Sequence, residues 1–347
     1  MPSIDFMEKI PLTGLFPNEI SSAISFSQAF RASQIYRWIY AGAETFDEMT
    51  DLGKKDRELL EEKAVIRASS VSQTLKDTDG TLKLQISLSD GLAVETVLLT
   101  DKDGRKTACV SCQAGCAMGC AFCQTGQLGF ARNLTAGEII DQFLFLEKSS
   151  GKLDNIVFMG MGEPMLNMDE IRKAISILTD KKGRNLSSRR ITISTSGIIK
   201  GIYDLADNGP SVRLAVSLTT ADEELRKKLM PVSFNNPLPE LKKAIDYYVK
   251  KSGKRVTLEA ALMKNVNTGK ESAKRLIDFA SGIDVNVNLI PWNPVSNLPF
   301  EEPGKNEIRQ FSGLLENAGI NVTLRTKRGR NIGGACGQLG RTSKRKI

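Results

Sequence analysis

The stretch IVFMGMGEPMLNMDEIRKAISIL, Ile156 to Leu178, decides the fold. An apolar run (Ile156–Met159) breaks at Gly160-Met161-Gly162-Glu163, and an amphipathic segment follows from Met168 to Leu178. A strand that passes through a short loop into a helix is one unit of an α/β array. The unit recurs: strands are predicted at Ala108–Val110, Arg190–Ser194, Arg213–Ser217, Arg255–Ala260 and Val285–Ile290, and helices at Ala136–Glu147, Ile199–Asp207, Ala221–Lys228, Pro239–Lys251 and Glu271–Ala280. Such a series predicts a parallel sheet with crossover helices, doubly wound or closed as a barrel. Strands end in Gly160–Glu163, in Ser194-Thr195-Ser196-Gly197 and in Ser217-Leu218-Thr219. In these folds the carboxyl ends of the strands build the site.

Upstream the pattern differs. Residues 1–75 read as a helical accessory domain, with apolar residues at helical spacing from Ser25 to Ala41 and a second helix at Asp56–Ala64. Residues 76–105 read as a β-hairpin linker, Thr81–Ser87 and Leu92–Leu99 alternating around Ser89-Asp90-Gly91. Residues 106–347 form the α/β domain, with a loop expected at Asn293–Pro303.

Composition narrows the function. The chain has 347 residues, 41% hydrophobic and 25% charged, enough for a large core. No apolar run reaches membrane-span length, and Met1–Ile10 lacks the features of a signal peptide, so a soluble cytoplasmic protein is expected. Net charge is +8, with Arg325, Lys327, Arg328, Arg330, Arg341, Lys344, Arg345 and Lys346 crowded near the end. A polyanionic partner and a solvated basic tail explain that crowding equally well. The absence of histidine excludes a Ser-His-Asp triad, His-ligated zinc and any imidazole base, so proton transfer falls to Cys, Glu, Asp, Lys or Tyr.

Five of the six cysteines lie between Cys109 and Cys123, and the sixth is Cys336. Cys116, Cys120 and Cys123 are spaced C-x3-C-x2-C directly after the first strand of the array. A loop this tight presents three thiolates to one face of an iron–sulfur cube, leaving a fourth iron open. The rival is a zinc knuckle completed by Cys109 or Cys112; its position in an α/β array argues against it.

These residues, with Arg132-Asn133-Leu134, Met159–Pro164, Ser194–Gly197, Leu289–Asn293 and Ala335–Leu339, resemble the RlmN/Cfr family of radical S-adenosylmethionine (SAM) rRNA methyltransferases. The resemblance spans nearly the whole chain. Gly162-Glu163-Pro164 and the front module are similar to the RlmN branch, which makes 2-methyladenine in 23S rRNA and in tRNA. It implies an incomplete (β/α)6 TIM-like radical SAM barrel behind an N-terminal helical domain. The implied cofactors are one 4Fe-4S cluster on Cys116, Cys120 and Cys123, and SAM, two molecules per methyl transferred. The implied partners are 23S rRNA, tRNA and an electron donor of flavodoxin or ferredoxin type, with the enzyme a monomer and no membrane involved.

The resemblance also implies the chemistry. Carbon 2 of adenine has no lone pair with which to attack a sulfonium methyl group. One SAM methylates Cys336, an ordinary nucleophile as thiolate. A second, on the open iron, yields a 5'-deoxyadenosyl radical that activates this methyl group for addition to the ring. Cys109 then displaces Cys336 as a disulfide, and Glu95 accepts the ring proton. Taken alone, Glu95 reads as a solvent-facing strand residue. SAM contacts are implied at Gly162, Glu163, Ser194, Ser217, Leu218, Thr219 and Asn293; the family usually has histidine where this chain has Thr219. Cys112, where the family usually has serine, reads as a small buried residue. Trp292, Phe130, Lys327 and Arg328 are candidate RNA contacts, and Tyr36 and Trp38 are expected in the core. The alternatives are a Cfr-type carbon 8 methyltransferase and a non-enzymatic, metal-bound RNA-binding protein.

Overall fold

A computed structural model describes residues 9–28 and 30–340. The front module comprises β1 (Ile10–Pro11), α1 (Pro17–Ala23), α2 (Arg31–Ala41), α3 (Lys54–Lys63) and β2 (Ala64–Val65). Helix α2 buries Ala32, Ile35, Tyr36, Ile39 and Tyr40 as one stripe, and Gly42 ends it in the left-handed conformation. Tyr36 is wholly buried and Trp38 partly so, as expected.

Next come β3 (Ser70–Lys76), β4 (Leu82–Ser87) and β5 (Ala93–Thr100), then β6 (Lys106–Cys109) and the short pair β7 (Gln113–Gly115) and β8 (Phe130–Asn133). The array continues through α4 (Ala136–Ser150), β9 (Asn155–Phe158), α5 (Met168–Thr179), β10 (Ile191–Thr195), α6 (Ile199–Asn208), β11 (Arg213–Ser217), α7 (Glu223–Leu229), α8 (Leu238–Ser252), β12 (Val256–Leu262), α9 (Lys270–Ala280), β13 (Val285–Pro291), α10 (Lys305–Asn317) and β14 (Val322–Leu324). Local chemistry sets the boundaries. Helix α4, for example, opens on a reciprocal cap in which Thr135 Oγ1 accepts from Glu138 N (3.2 Å) and Glu138 Oε2 from Thr135 N (2.9 Å).

One ten-stranded sheet runs β14-β13-β12-β11-β10-β9-β6-β5-β4-β3. Strands β6 and β9–β14 are parallel, joined by helices, giving the incomplete (β/α)6 barrel with β14 as one further strand. Strands β3–β5 are antiparallel and hydrogen-bonded to β6, so the expected linker hairpin is a three-stranded continuation of the barrel sheet. The larger of two apolar clusters among the described residues joins barrel and front module. Polar contacts reinforce the junction: Tyr36 Oη donates to Asp180 (3.1 Å), and Lys173 pairs with Glu19 and Lys148 with Glu44, both at 2.6 Å.

Candidate active site

The cysteine loop follows β6 and is flanked by β7 and β8. Its backbone is pinned to the barrel by Ala121 N to Leu229 O (2.9 Å) and by Trp292 Nε1 to Phe122 O (3.0 Å). Gly126 lies so close behind it that a Cβ there would sit 2.9 Å from both N and O of Cys120. The three thiols line a cavity of about 180 Å³ whose far wall is Gly162, Glu163, Ser194, Ser217, Thr219 and Asn293, from the ends of β9–β11 and β13. Gly162 has φ +105°, and its Cβ would lie 2.6 Å from that of Gln113, so only glycine fits.

Thr219 is also left-handed (φ 61°), and strain of this kind persists where surroundings fix it. Here Thr219 N donates to Glu259 O, and Asn267 Nδ2 donates to Thr219 O, both at 2.9 Å. Leu218 departs from expectation: its side chain is in the core, and its carbonyl accepts from Arg226 Nε at 3.1 Å instead of facing the cavity. Glu163 is buried and braces β10, with Oε2 accepting from Ser196 N and Oγ at 2.7 Å each. Burial pushes its pKa up, opposed by these hydrogen bonds.

A second cavity of about 520 Å³ occupies the barrel lumen and is lined by Cys109, Thr192, Thr257, Asn288, Arg325 and Cys336. Cys109 ends β6, and Cys336 arrives on a loop 227 residues later. The residues shared by the two cavities include Cys123, Glu259, Asn293 and Cys336, so Cys336 stands at their junction. Asn293 Nδ2 holds the Cys336 carbonyl at 3.2 Å. Burial raises the Cys109 thiol to about 12, with nearby Cys336 adding to the rise and Arg325 opposing it.

Other expectations are corrected. Glu95 is buried, not solvent-facing; its carboxylate is bonded to Lys83 Nζ (3.1 Å) and Gly340 N (2.7 Å), and it lines neither cavity. Trp292 is buried edge-on against Phe300, as a prop for the cysteine loop and not an RNA-stacking surface. Phe130 is exposed beside that loop. Lys327 and Arg328 line the larger cavity, but Lys327 pairs with Glu302 and Arg328 donates to Thr100 O, so part of the basic crowd is neutralised internally. Arg341, Lys344, Arg345 and Lys346 lie outside the described residues. Cys112 is a small buried residue, as expected.

Sequence reasoning missed Glu259. It is buried on β12 with Oε2 accepting from Ser194 Oγ (2.9 Å), while Oε1 has no hydrogen-bond partner and lies 4.0 Å from Arg325. Asn293 Oδ1 is a second buried acceptor without a partner. Both residues line the thiol cavity, so it offers acceptors to a ligand rich in donors, such as the amino and hydroxyl groups of SAM. The thiols themselves suit iron. Burial raises Cys116, Cys120 and Cys123 together, Cys116 to about 12, and a neighbouring thiol raises each further, a penalty on the thiolates that bound metal relieves.

The Radical SAM superfamily profile matches residues 110–280, and that of the ribosomal RNA large subunit methyltransferase N-terminal domain matches residues 26–66. A probable dual-specificity RNA methyltransferase RlmN of Treponema denticola is 59% identical over 337 residues, 97% of each chain. The chain belongs to the RlmN family of radical SAM methyltransferases. The Treponema pallidum relative of the same name is 57% identical, over 96% of this chain and 98% of its own. The crystal structure of a radical SAM methyltransferase from Sphaerobacter thermophilus superimposes with a TM-score of 0.91 at 39% identity, covering 95% of this chain and 99% of that one. The cofactors of a radical SAM protein are a 4Fe-4S cluster and SAM, and the cavity chemistry fits both.

Proposed function

We propose that this chain methylates carbon 2 of an adenine in 23S rRNA and of an adenine in tRNA, with Cys336 carrying the methyl carbon and Cys109 releasing the product. The observation that carries this reading is the position of Cys336, shared between the thiol cavity and the lumen, with Cys109 on the lumen wall. The names of relatives at 57–59% identity support the RNA substrates.

Cys116, Cys120 and Cys123 would hold the cluster, and Gly162, Glu163, Ser194, Ser217, Thr219 and Asn293 would enclose SAM. When bound, the two supply a methyl group and a one-electron cleavage that yields a carbon radical. The polypeptide supplies placement. Cys336 presents its sulfur to the cofactor side and its cargo to the lumen. Cys109, having given up its thiol proton, then bonds through sulfur to Cys336 sulfur while the bond from Cys336 sulfur to the product carbon breaks; the electron pair leaves with that carbon, which takes up a proton to complete the methyl group. Glu95, whose carboxylate is bonded to Gly340 N on the Cys336 segment, would accept the ring proton. An electron donor of flavodoxin or ferredoxin type and a monomeric cytoplasmic enzyme complete the reading.

The test is anaerobic incubation with SAM, reductant and rRNA or tRNA, followed by mass spectrometry of nucleosides. The expected product is 2-methyladenosine; 8-methyladenosine would assign the enzyme to the other branch. Cys336→Ala should abolish transfer with iron content unchanged, and full activity in that variant would refute the carrier role. Cys109→Ala should accumulate a protein–RNA adduct on denaturing gels, and free product in normal yield would refute the releasing role.

A further inference from the structure

Lys83 on β4 and Glu95 on β5 are each about 3% exposed and pair at 3.1 Å. A buried ion pair is costly unless its remaining hydrogen-bonding capacity is used. Here it is used on one segment: Lys83 Nζ donates to Gly333 O (3.4 Å), and Gly340 N donates to Glu95 Oε2 (2.7 Å). Gly333 and Gly340 bracket Cys336.

The turn between β3 and β4 grips the same segment upstream. Asp79 Oδ2 accepts from Gly329 N at 2.8 Å, and Asp77 accepts from Asn331 N (3.2 Å) and Nδ2 (2.9 Å). The Asn331 bonds hold the Asp77 carboxyl below its ordinary range, and at Asp79, where burial acts upward, hydrogen bonds from Thr81 and Gly329 outweigh it. From the opposite side the cysteine loop contributes Gln124 N to Gly337 O and Thr125 Oγ1 to Leu339 O, each 2.8 Å. Cys336 therefore lies between two sets of bonds, one from the cluster loop and one from the antiparallel strands.

We propose that Lys83, with Glu95, Asp77 and Asp79, is a clasp that positions the Cys336 segment, and that strands β3–β5 serve the reaction by holding that thiol at the junction of the two cavities. Lys83 is a positioning residue, acting through Glu95 and Gly333. The proposal rests on Cys336 as methyl carrier, and its test separates the two ideas.

The experiment compares full-length, anaerobically reconstituted wild type with Lys83→Met, Lys83→Arg and the double variant Asp77→Ala/Asp79→Ala. Hydrogen exchange of peptides spanning 329–340 and alkylation of Cys336 by iodoacetamide are followed by mass spectrometry. In Lys83→Met and the double variant both should accelerate by about tenfold or more, as expected for loss of a charge-assisted hydrogen bond in a local opening. Peptides spanning 156–178 and the iron content should not change, Lys83→Arg should recover most of the protection, and kcat should fall with the RNA KM unaltered. Exchange and alkylation within twofold of wild type, or loosening spread evenly over the barrel, would overturn the clasp. Should Lys83→Met fail to fold, the double variant at the turn decides. The mass of the wild-type Cys336 peptide after exposure to SAM reads the other idea separately: an unmethylated Cys336 in the wild type, together with a loosened segment in Lys83→Met, overturns the carrier role and leaves the clasp.

Discussion

Arg226 offers the sharpest prediction about the cofactor cavity. Its side chain is completely buried, and among the described residues no carboxylate lies within ion-pair distance of it. The guanidinium instead donates to Leu218 O (3.1 Å), Ser196 O (2.8 Å) and Ser233 Oγ (2.6 Å). It thus ties together the loops after β10 and β11, whose Ser196, Ser217 and Thr219 line the thiol cavity. Burial lowers its pKa to about 10, so it remains charged at neutral pH. Arg226→Met strands three buried acceptors at about 1–3 kcal/mol each, offset in part by no longer burying a charge, for a net loss of about 3 kcal/mol. With an unfolding entropy of about 2.1 cal/mol/K per residue over 347 residues, that loss lowers the Tm by roughly 4 °C. Because the freed loops wall the cavity, SAM affinity should fall by about tenfold or more, while iron binding to the cysteine loop is retained. Anaerobic thermal denaturation and equilibrium SAM binding measure the two effects. A Tm within about 1 °C of wild type together with SAM affinity within twofold would refute the reasoning.

Two further predictions concern buried carboxyls. Glu259→Gln, which removes the charge from the Oε1 that no hydrogen bond satisfies, should weaken SAM binding by about tenfold or more with iron content unchanged; unchanged affinity would remove Glu259 from the cofactor site. Asp141 lies buried against Arg67 (3.6 Å) and the Ser69 hydroxyl, and burial raises its pKa to about 7, the neighbours opposing. A carboxyl raised on folding binds more protons folded than unfolded, so its destabilising effect is absent at low pH and complete above about 7. The stability of wild type relative to Asp141→Asn should therefore fall between about pH 4 and pH 7, by up to about 1.4 kcal/mol per unit. Parallel stability profiles for the two proteins would show the shift to be absent.

What the sequence made legible is what neighbouring residues decide. The parallel strands and their helices appear within a few residues of their predicted places, because apolar periodicity is a local property. Cys116, Cys120 and Cys123 are legible for the same reason: their spacing alone brings them to one loop. Helix α10 carries Ile308, Phe311 and Leu315 on one buried face and was open to reading but unread, whereas β14, at three residues, is too short to announce itself. The errors at Glu95 and Trp292 have one cause. Alternation along β5 predicts which side Glu95 faces, but what covers that side is the segment 329–340 from the far end of the chain. Trp292, likewise, is claimed by Phe122 O, 170 positions away. Lys83 shares this blindness, being a lysine in a hairpin until the loop arrives to bury it.

The same long-range placement gives the two thiols the different surroundings that the proposed reaction asks of them. Both line the lumen, but only Cys336 also reaches the cavity of the three cluster thiols, so a methyl donor seated there meets Cys336 and not Cys109. Reactivity points the same way, since a thiol attacks as its thiolate and Cys109, buried and raised to about 12, holds its proton. Arg325, which opposes that rise and also lies 4.0 Å from Glu259, would favour the thiolate in the proposed release step. In the proposed reaction Cys109 would thus keep its proton while Cys336 is being loaded. Exchanging the two environments, by exposing Cys109 or withdrawing Cys336 from the junction, should misdirect the methyl group before it weakens the fold.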